Sequence, residues 1–293
     1  MIYGFGSRPA TNPIVVHFLE GANGKYFPNA RNVHMYGMSS WPNFDWAKWQ
    51  QEKTPIAIVG ILRGTERLLW IAKEQKINFY YIDHAYFFRA ESHKNNNITN
   101  EKSYRVCLNG ENLNFLINDK LNTSDINRIQ KNKNLILPRN IVKTTGNKIL
   151  ICPPSYAIAR YYKFKNDDVQ LWLNDTIRAV KEQTDKEIII RYKDSTTPYI
   201  KDFENAYCII TYQSTLAIEA ILNGIPSICH KTSCAVAVSS HTLNIKNLKI
   251  PTVQQIENWV ISLLAGQFTM QEMINGVAFE AVNRLQKQKY IND

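Results

Sequence analysis

The feature that most constrains this chain is an alternation: short apolar runs are separated by longer amphipathic stretches, with no internal repeat beneath them. A parallel strand is buried on both faces, so it reads as a continuous apolar run, and its crossover helix supplies the amphipathic stretch that follows. The pattern therefore predicts βαβ units. In the first half the runs are Ile14–Leu19 (IVVHFL), Pro55–Leu62 (PIAIVGIL) and Phe79–Ile82 (FYYI). Arg63-Gly64-Thr65 turns from the second run into an expected helix over Glu66–Gln75. The unit reads as strand, tight glycine turn, helix, strand. Glu91–Lys102 is polar and reads as a loop; a shorter strand at Tyr104–Leu108 and a helix capped near Thr123 or Ser124 follow.

The second half repeats the rhythm more cleanly. Expected strands are Lys148–Cys152 (KILIC), Glu187–Arg191 (EIIIR), Tyr207–Thr211 (YCIIT) and Pro226–Cys229. Between the first two, Val169, Leu171, Trp172, Leu173, Ile177 and Val180 recur at close to helical period, predicting a helix over Asp167–Gln183. Another helix is expected around Pro198–Glu204. Gln213-Ser214-Thr215 opens a third, which runs to Leu222 and stops at Gly224. The segment after Pro251 reads as helical, with Trp259, Leu263, Leu264, Phe268, Ile274 and Phe279 as packing residues. Pro138–Asn147 reads as a linker. The expected organisation is an α/β domain over 1–140, a second over 148–280, and a tail over 281–293.

Composition narrows the class. With 293 residues, 44% hydrophobic and 20% charged, the chain can bury a core and is no disordered polymer. A net charge of +10 favours polyanionic partners, although the basic residues are spread along the chain. Five cysteines (Cys107, Cys152, Cys208, Cys229, Cys234) make no C-x-x-C pair. That usage fits a reducing cytosol without structural zinc. The start MIYGFGSRPATNP has no apolar signal core, and no stretch approaches the ~18 apolar residues of a membrane span. The expected location is the cytoplasm.

The segment richest in chemistry is Tyr212-Gln-Ser-Thr-Leu-Ala-Ile-Glu-Ala-Ile-Leu-Asn-Gly-Ile-Pro. A buried strand ends and two hydroxyl residues, Ser214 and Thr215, stand where a helix begins. Free N–H groups and the positive end of the helix dipole can hold a phosphate there. Glu219, four residues on from Thr215, lies on the same face and could accept hydrogen bonds from ribose hydroxyls. A plain Ser214 N-cap on an amphipathic helix is the simpler alternative.

This S-T-x-x-x-E-A-x-x-x-G-x-P string after a strand resembles the donor-site helix of GT-B-type glycosyltransferases, especially those of capsular-polysaccharide type. The order of LRGT, YYIDHAYF, ICPPS, IRYKD, the donor helix and LAGQFTMQEMINGVAF is also similar to phage-encoded glycosyltransferases. The resemblance spans about Pro55 to Phe279. It implies an α/β fold of two facing Rossmann-like domains with an interdomain cleft, one lobe trimmed: an acceptor-side domain over 1–140 and a nucleotide-sugar-binding one over 148–280. It also implies a UDP-, GDP- or CMP-sugar as co-substrate rather than a permanently bound cofactor and, for a phage-encoded chain, the host's cytoplasm as the location.

Other residues fit such a site. Ser155, at a strand end before Arg160, could meet phosphate or sugar, or be a Pro-Pro turn residue. Arg191 and Lys193 follow a strand and could neutralise a leaving phosphate, or be solvated. Gln213 opens the donor helix. Asp83 and His84 end the FYYI strand; either could be the base on an acceptor hydroxyl, or Asp83 could orient His84. Arg63, Gly64 and Thr65 could cradle a phosphate or merely form a turn. Glu20 and Gly21 end the first run. The aromatics of Tyr80-Tyr81 and Tyr86-Phe87-Phe88 suit a core better than a stacking wall, and His230 and His241 read as structural or surface residues. No D-x-D string is present, so no divalent metal is implied.

The leading function is transfer of a sugar from a nucleotide donor. Net charge and the phage-like resemblance favour, narrowly, a hydroxymethylated pyrimidine in double-stranded DNA as acceptor; a capsular or surface glycan is the alternative. A nucleotide-sugar epimerase would turn over the donor with no acceptor present. A non-catalytic nucleic-acid-binding protein would be indifferent to loss of Glu219 or His84.

Overall fold

Most of the apolar runs become strands here, with helices between them. The computed structural model describes residues 1–7, 12–28, 41, 44–61, 64–87, 103–117, 120–133, 136 and 142–286. Two compact units result. The first comprises residues 1–111, 119–128 and 264–293; the second comprises 112–118 and 129–263.

The first unit carries strands β1 (Tyr3–Phe5), β2 (Lys25–Phe27), β3 (Ile56–Val59), β4 (Phe79–His84) and β5 (Ser103–Leu108). The chain returns at its far end with β10 (Gln267–Thr269). The sheet order is β10-β5-β4-β3-β1-β2. β1 to β4 are parallel; β5 runs antiparallel between β4 and β10. All four residues of β3 and the first four of β4 are buried, which is why those two strands read so plainly as apolar runs. Helices α1 (Asn12–Ala22), α2 (Trp46–Glu52), α3 (Thr65–Glu74), α10 (Met270–Ile274) and α11 (Val277–Gln286) complete this unit, and α4 (Thr123–Lys133) begins in it.

The expected strand Ile14–Leu19 is instead the heart of α1. Pro13 suits a helix's first turn, and the buried residues Ile14, Val15, Phe18 and Leu19 follow a helical period. Glu20 and Gly21 are therefore helical residues, not strand-end ones. At Gly21 a β-carbon would lie 2.0 Å from the Met273 carbonyl oxygen, so only glycine lets α1 approach the α10–α11 junction this closely. Aromatic residues fill the space beside β1: Phe5 meets Phe44 at 4.8 Å, and the Trp49 indole N–H donates to the Thr54 carbonyl.

The second unit's strands are β6 (Lys148–Cys152), β7 (Glu187–Ile190), β8 (Ala206–Thr211) and β9 (Ser227–Cys229), in the order β7-β6-β8-β9 and all parallel. Its helices are α5 (Tyr156–Tyr161), α6 (Val169–Lys181), α7 (Tyr199–Phe203), α8 (Leu216–Leu222) and most of α9 (Val253–Ala265). β6 alternates faces: Ile149 and Ile151 pack with Leu173 and Val180, while Leu150 and Cys152 pack with Phe203, Ala220 and Ile225. Asp168 caps α6 by accepting from the Leu171 N–H, and Gly224 ends α8 at φ +82°. All five cysteines are buried and unbridged, and burial pushes the Cys152 and Cys208 thiols up to about 12.

The expected boundaries at 140, 148 and 280 need correction. Residues 264–286 belong to the first unit, because β10 pairs with β5 and α10 and α11 pack on α1. Phe268 is a strand residue within that return. Of the expected linker, Pro138–Ile141 lie outside the described residues. Val142 is buried and the Lys143 N–H donates to the Gly224 carbonyl, so this stretch is packed within the second unit. The expected loop Glu91–Lys102 also lies outside the described residues. Among the described residues, no helix is long and apolar enough to cross a membrane.

Candidate functional site

In the second unit the chain moves from β6 to β7 on one side, then to β8 on the other side of β6. Connections leaving neighbouring parallel strands in opposite directions create a switch point, where ligands of open α/β sheets bind outside the strands' carboxyl ends. The loops bounding it are Pro153-Pro154-Ser155, after β6, and Tyr212-Gln213-Ser214-Thr215, after β8. Both were singled out in the sequence.

The β8–α8 turn partly satisfies itself. The Ser214 N–H donates to Thr211 Oγ1, and Ser214 Oγ accepts from the Leu216 N–H. These amides are thus less free than a bare helix start would leave them. Thr215 occupies the N-cap position, and its side chain makes no capping bond. Ser214 is exposed and Thr215 half-buried at the end of β8. Glu219 is half-buried on α8 and accepts a 3.3 Å hydrogen bond from the Tyr199 hydroxyl. Gln213 is committed: its amide donates to the Tyr162 hydroxyl at 2.5 Å, to the Thr232 carbonyl at 3.2 Å and to Thr232 Oγ1. Its amide nitrogen braces the turn.

Beside Gln213 stands a pair the sequence reading passed over. The Tyr212 and His230 rings stack at 4.3 Å and 12°, and Thr232 Oγ1 lies 2.8 Å from His230 Nδ1. Burial, followed by the Lys231 charge, lowers the His230 pKa, and burial pushes the Tyr212 phenol up to about 12. Both rings are neutral at pH 7, so the pair offers an aromatic surface and no cation. Its only sequence signal is His230's place just beyond a buried strand.

Arg191 does not stand free. Its guanidinium pairs with Asp202 of α7 and donates to the Thr197 carbonyl at 2.8 Å, so it ties α7 to the end of β7. Ser155 and the exposed Lys193 instead meet at the rim of one cavity of about 880 Å³, formed by the loops after β6 and β7. Arg160 lies half-buried on α5.

In the first unit Asp83 and His84 end β4, as expected. Asp83 is held on three sides: Arg105 reaches Oδ2 at 2.8 Å, the Tyr81 hydroxyl donates to the same oxygen at 2.9 Å, and the His84 backbone N–H donates to Oδ1 at 2.8 Å. Burial alone would raise the Asp83 carboxyl; Arg105 and the two hydrogen bonds outweigh it and hold the group below the usual carboxylate range. A carboxylate so stabilised is a poor base, and it grips the backbone of His84 in addition to Arg105. The His84 ring lies 6.4 Å from that of Tyr104 and nearly parallel to it. At the α3 turn the Gly64 N–H, at φ +94°, donates to the Glu66 carboxylate, and Thr65 Oγ1 donates to the Gly60 carbonyl. A buried carboxylate occupies the place of the imagined phosphate, so this turn is structural. Arg63, like Phe88, lies outside the described residues.

Compared with solved structures, the chain is similar to Thermosulfurimonas dismutans KpsC, beta Kdo 2,7 transferase. The TM-score is 0.50 at 13% identity, over 96% of this chain and 98% of that one. The two share a fold. It is the expected GT-B-like one, with two Rossmann-like α/β units. A second KpsC structure from the same organism, beta Kdo 2,4 transferase, aligns at TM-score 0.45 and 11% identity over 89% and 90% of the two chains. No family model and no curated protein matches the chain.

Proposed function

We propose that the chain is a glycosyltransferase that moves a sugar from a nucleotide-sugar donor to a hydroxyl of a surface or capsular glycan. The observation that carries this reading is the second unit's strand order, which sets the loops after β6 and β8 on either side of one switch point. A fold shared with a protein named as a Kdo transferase supports sugar transfer over epimerisation. The preference for a hydroxymethylated base in DNA rests on net charge and on the phage-like sequence order, and neither the fold nor the site adds to it.

In this mechanism the Ser214 and Thr215 hydroxyls meet the donor phosphate, and Glu219 accepts from the ribose hydroxyls. The acceptor oxygen bonds to the anomeric carbon as the bond from that carbon to phosphate breaks, and the phosphate leaves with the electron pair. The acceptor's proton passes to a base. His84 is the candidate, since Asp83 is held as an anion by Arg105.

A thermal-shift series with UDP, GDP, CMP and their sugars tests the donor site. A ligand at a hundred times its Kd stabilises by about 2.7 kcal/mol, so one nucleotide should raise the melting temperature, and Thr215→Ala should shrink the rise. A flat response across the series would sink the proposal.

A further inference from the structure

The cavity between the loops after β6 and β7 has a lining that a nucleotide does not explain. Tyr156 and Tyr192 line it and remain 61% and 47% exposed, over a wall made by Pro153 and Pro154. Tyrosine offers an apolar face with a polar tip, and leaving two such rings in water forgoes burial that a ligand could restore. The charged groups on the lining are Lys193 against Asp168 and Asp194, one cation facing two carboxylates. A diphosphate would meet net repulsion there, since like charges at contact distance cost energy even near a surface. The Ser155 hydroxyl makes no capping bond to α5, and Asp168 spends one oxygen on the Leu171 N–H. What remains is a hydroxyl, carboxylate oxygens and an ammonium beside aromatic faces, in a volume of about 880 Å³. A neutral pyranose is matched to this set. Its C–H face is apolar, and its hydroxyls both donate to carboxylates and accept from an ammonium.

We propose that this cavity is a saccharide site that holds a neutral sugar unit of the acceptor glycan. Its link to the acceptor rests on the sugar-transfer reading; the binding itself does not. Ser155 and Lys193 then serve the glycan and not the donor phosphate.

Saturation-transfer NMR on the full chain tests it, with lactose, maltose, cellobiose and chitobiose at millimolar concentration and no nucleotide present. At least one disaccharide should receive magnetisation. Tyr192→Ala and Tyr156→Ala should each weaken its binding about tenfold or more, with the melting temperature unchanged because both rings are exposed. Binding by none of the four, or binding unaltered in the double variant, would overturn the site. So would displacement of the sugar by the nucleotide found in the thermal-shift series, because the cavity would then belong to the donor. A flat nucleotide series with the disaccharide signal intact would remove the sugar-transfer reading and leave the saccharide site standing.

Discussion

At the scale of single residues, a cation decides what the end of β4 can do. Arg105 satisfies the Asp83 carboxylate and, through a second nitrogen, the His84 carbonyl at 2.7 Å. Its side chain is 11% exposed, so Arg105→Ala strands a shielded carboxylate and should cost about 3–5 kcal/mol in chemical denaturation. The folded pKa of Asp83 is depressed, so its contribution is complete above its unfolded value of about 4 and is lost as pH falls through the lower folded value. Unfolding midpoints measured on acidification should therefore fall less steeply for Asp83→Asn than for the parent chain. His84 is the residue whose loss should show in rate: His84→Ala should lower kcat about 10²–10⁴-fold with the nucleotide thermal shift intact. Equal rates would remove it as the base.

At the scale of elements, one ion pair ties α7 to the end of β7. Arg191→Ala should cost about 1–3 kcal/mol and raise hydrogen exchange across Tyr199–Phe203, with nucleotide binding retained. Loss of nucleotide binding without that local loosening would return Arg191 to the donor site. The same pair shows where reading a sequence stops. Arg191 looked like a ligand cation because its partner, Asp202, sits on a different element and no local pattern joins them. The Tyr212–His230 stack was hidden likewise, since β8 pairing with β9 brings the rings together. The turn at Ser214 and Thr215 was legible because strand, turn and helix are contiguous there. So were β6 and β8, whose burial on both faces leaves apolar runs, and β7, an edge strand whose Ile188 and Ile189 are only partly buried. IVVHFL failed because a short, mostly apolar run suits a buried helix as well as a buried strand. β1, β2 and β10 have three residues each, too few to carry a period.

At the scale of the whole molecule, the excess of 35 basic over 25 acidic residues is a general field and no address. Duplex DNA should bind weakly and let go as salt rises from about 50 to about 200 mM, and hydroxymethylated DNA should receive no sugar. Salt-resistant binding with transfer to DNA would reverse the choice of acceptor. Ending the chain after Leu263 removes β10, α10 and α11, all of which belong to the first unit. Such a chain should lose solubility but keep its nucleotide response, as a pull-down and a thermal shift would show. The reason lies in the order of synthesis. β5 emerges from the ribosome early, yet Tyr104 waits for Phe268 to cover its outer edge. For all that interval the nascent chain presents an open row of amides and carbonyls, the kind of edge on which chains aggregate. The unit begun first is the one finished last, because residues 129–263 of the second unit are made before β10.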